Sequence, residues 1–234
     1  MSITGPDARP SSGNPRMEFG VKHRIIGFGF LALVTTAIVC LVGMNGQQHL
    51  TAALERSGTA ATVLRNHLEA DMMHDALRGD VLNALHAASL QDENSYQQAV
   101  ADLGEHSANF NASLAENEKL AFDASIVAAL KETKPALVEY IRSADQIVAM
   151  AFSKPAVAEA TFPGFLERFG VLEDAMSKLS DLIEQRSEAA AEAATTTAAQ
   201  SRQIMLWTLV VSALAMLAAS FLLGRGILRP LSQL

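Results

Sequence analysis

The stretches IIGFGFLALVTTAIVCLVGM (Ile25–Met44) and IMLWTLVVSALAMLAASFLL (Ile204–Leu223) decide the fold. Neither contains a charged residue. Each runs about 20 residues, which at about 1.5 Å rise per residue crosses about 30 Å of hydrocarbon. Both read as transmembrane helices. The first outlasts the apolar segment of a secretory signal, about 7–15 residues. No clear A-x-A cleavage pattern follows it, so it reads as a retained anchor.

Lys and Arg beside the spans set their orientation. Arg16, Lys22 and Arg24 precede the first span, and Arg225 and Arg229 follow the second. The opposite ends are polar and mostly neutral: Asn45, Gln47, Gln48 and Thr51, then Thr195, Gln200 and Ser201, with Arg202 the one basic residue. Both termini are therefore expected in the cytoplasm, with residues 45–203 outside and the chain in the inner (cytoplasmic) membrane. Trp207 lies one turn into the second span, the depth of an interfacial aromatic anchor. Residues 1–24, rich in Ser, Gly and Pro, read as a disordered cytoplasmic tail.

Charge follows the same division. Between Asn45 and Gln203 stand 12 Lys and Arg against 23 Asp and Glu, a net −11; the flanks hold 6 against 2, a net +4. An acidic middle argues against nucleic acid, which selects basic surfaces. The single cysteine, Cys40, sits in the first apolar run, so no disulfide framework is available within the chain.

Residues 45–203 read as helix throughout, because Ala, Leu, Glu, Gln and Met dominate and no run alternates with period two. Breaks at Ser89–Asn94, at Glu116–Glu118, and between Ser153-Lys154-Pro155 and Phe162-Pro163-Gly164 divide it into four helices. Ser95 and Gln98 read as a capping box opening the second. Pro155 and Pro163 each suit a first helical position. Alternating steps of three and four mark the seams of an antiparallel four-helix bundle. They are Tyr96, Val100, Leu103, Ser107, Phe110 and Leu114 in the second helix, and Leu120, Asp123, Val127, Leu130, Lys134, Leu137, Ile141, Ala144, Val148 and Ala151 in the third. The fourth carries Phe165, Phe169, Leu172, Met176, Leu179 and Ile183. Pro135, inside the third helix, is expected to kink it. The fold class is all-α: two transmembrane helices flanking an extracytoplasmic antiparallel four-helix bundle.

On the first helix two neighbouring stripes carry polar groups. One alternates Leu64, Leu68, Leu82 and Leu85 with Asp71, Asp75 and Arg78. The other alternates Val63, Ala70, Leu77 and Val81 with His67 and His74. Charged groups on an inner face need partners. Asp71, His74, Asp75 and Arg78, with His67 beside them, are therefore candidates to line a pocket for a small polar ligand, against the alternative that they set register or face water. Arg65, Arg78 and Arg142 suit a carboxylate ligand, whose two oxygens match the planar guanidinium fork. His67 and His74 stand seven residues apart, too far for one metal on one helix, which favours spacings of three or four. No metal or other cofactor is assigned. No nucleophile setting or phosphate loop points to an enzyme.

The segment GRGILRPLSQL (Gly224–Leu234) resembles the opening of a HAMP domain, where R-x-I-x-x-P-L follows an apolar span. Arg225, Ile227, Pro230 and Leu231 match that pattern. With two spans around a helical segment, the chain resembles the sensory half of a methyl-accepting chemotaxis protein. MMHDALRGDVLNAL (Met72–Leu85) and LSDLIEQR (Leu179–Arg186) are similar to stretches in such receptors. The resemblance implies a homodimer that binds a small organic acid or amino acid, or a ligand-loaded binding protein. First-helix arginines would grip the acid, and a helix displacement would pass through the second span to the HAMP residues. The match ends at the start of the HAMP domain, and no methylation helices or kinase-coupling hairpin occur within these residues. The sensor part of a histidine kinase would look alike. A non-signalling membrane-tethered metal- or haem-binding protein, or a scaffold, is the other alternative.

Overall fold

The computed structural model describes residues 21–120 and 123–231. These fall into four helices: α1 (Val21–Leu90), α2 (Glu93–Leu120), α3 (Ala124–Ala151) and α4 (Pro155–Leu231). Two compact units result, one from the segments up to Gly46 and from Arg202 onward, the other from Gln47–Ser201.

In the first unit, α1 and α4 are each long and apolar enough to cross a membrane. A cleft of about 450 Å³ between Gly27, Phe28 and Leu31 of α1 and Ala219, Leu222 and Leu223 of α4 shows the two stretches side by side. Their other faces are bare: Phe30 is 71% exposed and Leu222 70%. Such apolar exposure suits lipid as solvent. Helix α1 begins at Val21, so the end of the expected tail is helical, whereas residues 1–20 lie outside the described residues. Helix α4 continues to Leu231, and the side chains of Ile227, Pro230 and Leu231 also lie outside the described residues.

In the second unit the four helices pack around one apolar core, and each neighbour runs opposite to the last. Between α1 and α2, Val63 meets Asn117 and Asp80 meets His106. Between α2 and α3, Tyr96 meets Val148 and Glu118 meets Lys134. Asp123 faces Arg186 and Tyr140 stacks on Phe165 between α3 and α4. Ala60 meets Ser187 and His74 meets Phe169 between α1 and α4.

The connections are short because side chains and backbone cap each end. Gln91 adopts a left-handed conformation (φ 54°), and Asp92 N donates to Ala87 O at 3.0 Å while Gln91 N donates to Ala88 O at 3.2 Å. This closes the last carbonyls of α1 as a Schellman turn does. Asp92 then accepts from Ser95 N at 3.1 Å and from Ser95 Oγ at 2.6 Å, so it caps α2. The cap lies three residues before the expected Ser95 box, since a carboxylate is the stronger acceptor for first-turn amides. The second break also falls later than Glu116–Glu118. Helix α2 carries on to Leu120 because Leu114 and Asn117 are buried one turn apart, and Asp123 caps α3 by accepting from Ser125 N at 2.8 Å. Pro155 opens α4, where its missing N–H costs nothing. Phe162-Pro163-Gly164 is not a break: the helix passes through it, with Phe162 and Phe165 stacked at 5.8 Å. Helix α3 likewise continues through Pro135.

The α4 seam lies inward as expected, with Phe165, Leu172, Met176, Leu179 and Ile183 buried and Phe169 partly so. In α3 the positions Leu130, Leu137, Ala144, Val148 and Ala151 hold, but elsewhere the inward positions shift by one residue. Ile126, Thr133, Tyr140 and Ile147 are buried, whereas Lys134 is exposed and pairs with Glu118. Burying Lys134 would strip its ammonium of water, whereas turning Tyr140 inward lets its hydroxyl donate to His74 O at 2.9 Å. In α2, Ala99 is buried in place of Val100. In α1 the histidine-bearing stripe is the core stripe: Val63, His67, Ala70, His74, Leu77, Val81, Ala84 and Ala88 are all buried. The neighbouring stripe lies at the edge of the core: Leu68, Asp71, Asp75 and Leu82 are exposed, whereas Leu64 and Leu85 pack partly buried against it.

Candidate functional site

That choice of face rearranges the candidate residues. Asp71 and Asp75 are exposed, so they do not form a charged layer inside the core. Arg65 is exposed as well, and Arg142 is exposed and bound to Glu139 one turn away at 2.5 Å. The structure therefore does not gather Arg65, Arg78 and Arg142 around one acid site within a single chain. A charged side chain at the surface keeps its hydration, which the core has no means to replace.

His74 and Arg78 do come together, through a residue of α4. The His74 ring, 1% exposed, stacks on Phe169 at 4.1 Å with planes 10° apart. The Arg78 guanidinium lies 4.2 Å from the centre of the same phenyl ring. Both cannot occupy one face at those distances, so Phe169 is wedged between an imidazole and a guanidinium one turn apart on α1. Arg78 is held by Asp75 Oδ1 at 2.9 Å. Phe110 of α2 meets His74 edge-on at 6.5 Å, and Tyr140 of α3 lies 5.1 Å away. All four helices thus contribute an aromatic ring to one level of the core.

The polar edge of this cluster is asymmetric. His74 Nδ1 lies 3.2 Å from Glu173 Oε2. A carboxylate only accepts, so the neutral imidazole carries its proton on Nδ1 and leaves Nε2 as an acceptor. Nε2 is buried and has no hydrogen-bond partner among the described residues. Burial lowers the affinity of His74 for a second proton below that of an ordinary histidine, and Glu173 and Asp75 offset only part of the effect. Burial pushes the Tyr140 phenol up, which keeps it a neutral donor to the His74 carbonyl.

Two further polar sites share this core. His67, 1% exposed, is likewise pushed toward its neutral form by burial, against the pull of Asp71, and its Nδ1 has no partner among the described residues. One turn before it, Asn117 of α2 donates to Val63 O at 3.0 Å, while its own oxygen and the Asn66 Nδ2 are buried and unpaired. Asp80, 4% exposed, meets His106 Nδ1 at 2.7 Å. Burial raises the Asp80 carboxyl, and the His106 hydrogen bond opposes that rise. Phe169, Glu173, Asn117 and the Asp80–His106 pair were not singled out as site residues from the sequence. A heptad position predicts burial, but nothing local announces which partner a second helix will bring. Among the described residues no group of three His, Cys, Asp or Glu side chains converges as a metal site.

In comparisons with known proteins, no family model, no curated protein and no solved structure matches this chain.

Proposed function

We propose that the chain is the sensory part of a transmembrane receptor of the chemoreceptor type. Residues 45–203 form a four-helix-bundle domain outside the inner membrane, and both termini lie in the cytoplasm. A stimulus favours one packing of the outer helices. The change then travels along α4 through the second span to Arg225 and the HAMP-like residues after it. A stimulus moves such an equilibrium only through different affinities for the two packings.

The observation that carries this reading is the continuity of α4. One helix holds Phe169 and Glu173 of the aromatic cluster, the apolar stretch Ile204–Leu223, and the start of GRGILRPL. A helix that enters the membrane only as an anchor has no need to remain unbroken on both sides. The outward stripe of α1, where Leu68, Met72 and Leu82 are exposed, supports pairing with a second copy in a homodimer. A small acid bridging two copies would find Arg65 on that outer surface.

The test is a chimera in which residues 1–234 precede the signalling region of a characterised chemoreceptor. Its kinase-control output is expected to respond to a stimulus applied outside the cell. Ala198→Pro, which breaks α4 between domain and span, is expected to abolish the response while membrane insertion persists. A response that survives the break rules out transmission along α4.

A further inference from the structure

The receptor reading leaves the stimulus open, and the aromatic level of the core supplies a candidate that needs no open pocket. The His74 imidazole joins α1 to α4, the two helices that continue into the apolar stretches. Its Nδ1–H donates to Glu173, so the next proton has one place to go, Nε2. That atom is buried without a hydrogen-bond partner among the described residues, on a ring packed among Phe110, Tyr140 and Phe169.

Resting on that reading, we propose that the domain senses acidity, with His74 as its proton-binding site and the proton as its ligand. Protonation at Nε2 turns a neutral stack into an imidazolium and a guanidinium on opposite faces of the Phe169 ring. It also creates a buried N–H with nothing to bond. The groups facing His74 decide which way the strain is relieved. From α1 itself come Asp71, Asp75 and Arg78, and Arg78 is engaged by Asp75. From α2 comes the apolar ring of Phe110, while the His106 Nδ1 is engaged by Asp80 at 2.7 Å. From α3 comes the Tyr140 ring, its hydroxyl committed to the His74 carbonyl. From α4 come the Glu173 carboxylate and the Phe169 backbone, both of which favour the charged imidazole. The anionic partner across the helix interface is thus on α4, and the repelled guanidinium is on α1. Protonation strengthens the attraction of His74 to Glu173 and to the face of Phe169, both on α4, but sets it against the Arg78 guanidinium across that ring and strands the Nε2–H, so the packing that wedges Phe169 between the two side chains is disfavoured and α1 and α4 shift against each other. Cores switch between discrete packings, and interhelix shifts of about 1–2 Å are typical. Because burial resists the charge, the switch operates below the pH at which a free histidine titrates.

The experiment uses the full chain in phospholipid nanodiscs. Cys40→Ser removes the native thiol, and spin labels at Glu69→Cys on α1 and Val171→Cys on α4 report the interhelix distance by pulsed electron resonance from pH 8 to pH 5. Both label sites are exposed and lie off the α1 stripe that pairs with a second copy. The expected result is a distance change with a single-proton transition. His74→Phe, which keeps an aromatic stack and cannot titrate, is expected to abolish it with helical content unchanged. Glu173→Gln is expected to move the midpoint about one unit toward lower pH, the usual size for a lost opposite charge. His67→Leu is expected to leave it in place. A distance that stays constant down to pH 5, or a transition that persists in His74→Phe, overturns the inference. Neither outcome touches the receptor reading, which stands or falls on the chimera. A His74-dependent transition with a silent chimera would instead keep the proton site and reject the transmission.

Discussion

Replacing His67 by leucine should make the protein more stable, although it removes a polar residue from the centre of a sensor domain. His67 is 1% exposed and its Nδ1 is buried without a partner among the described residues. An unsatisfied buried polar atom costs about 1–3 kcal/mol. Leucine has similar volume and fits the apolar stripe of Val63, Ala70 and Leu77. If half to all of the lower-bound cost is recovered, the gain is about 0.5–1 kcal/mol at neutral pH, or roughly 1–4 °C in melting temperature for a domain of this size. A second signature comes from linkage. The folded-state affinity of His67 for its proton lies below the ordinary value of 6.5 because burial disfavours the charge. Above pH 6.5 both folded and unfolded forms are neutral and the stability is fully present. As the pH falls below 6.5, the unfolded chain takes the proton first, and stability is lost until the folded form also titrates. Each unit of lowering corresponds to about 1.4 kcal/mol. His67→Leu should therefore gain more at pH 5.5 than at pH 7.5. The assay is thermal unfolding of the full chain in nanodiscs by far-ultraviolet circular dichroism at the two pH values. A lower melting temperature at pH 7.5 would refute the reasoning, because it would mean that Nδ1 is satisfied by a partner such as an ordered water. An equal gain at both values would refute the burial of a neutral imidazole.

The Asp80–His106 pair gives a contrasting case. His106→Ala, which leaves Asp80 buried and unpaired, is expected to cost about 1–3 kcal/mol at pH 7.5 by the same assay, with part of the loss recovered toward pH 5 as the carboxyl, already raised by burial, takes up a proton. Phe165→Ala removes a fully buried ring stacked on both Tyr140 and Phe162, and a loss of about 3–5 kcal/mol is expected in chemical unfolding.

How much of this was legible in the sequence varies by level. Composition and period made the four helices legible, because hydrophobic spacing acts within one element, whereas of the prolines only Pro155 marks a helix start and Pro163 lies inside α4. The α4 seam could be read directly, since Phe165, Leu172, Met176, Leu179 and Ile183 leave no competing apolar stripe. On α3 the same period allowed two phases, and the one chosen exposes Lys134 and buries Tyr140. The break after α1 was placed within a few residues, but its chemistry was misassigned to Ser95, because Asp92 and Ser95 are both good caps and only geometry shows which oxygen meets which amide.

By itself the sequence determined what short-range physics can enforce: two apolar stretches long enough to cross a membrane, and helices between them. The tertiary structure decided which face of α1 points inward. Two adjacent stripes each mixed four apolar residues with polar ones, two histidines in one and three charged groups in the other. The histidine stripe lies in the core because an imidazole can be buried neutral, as burial favours for both His67 and His74, and because Glu173 of α4 receives the His74 N–H. Asp71 and Asp75 have no such partners across the core, and a carboxylate left without one remains in water.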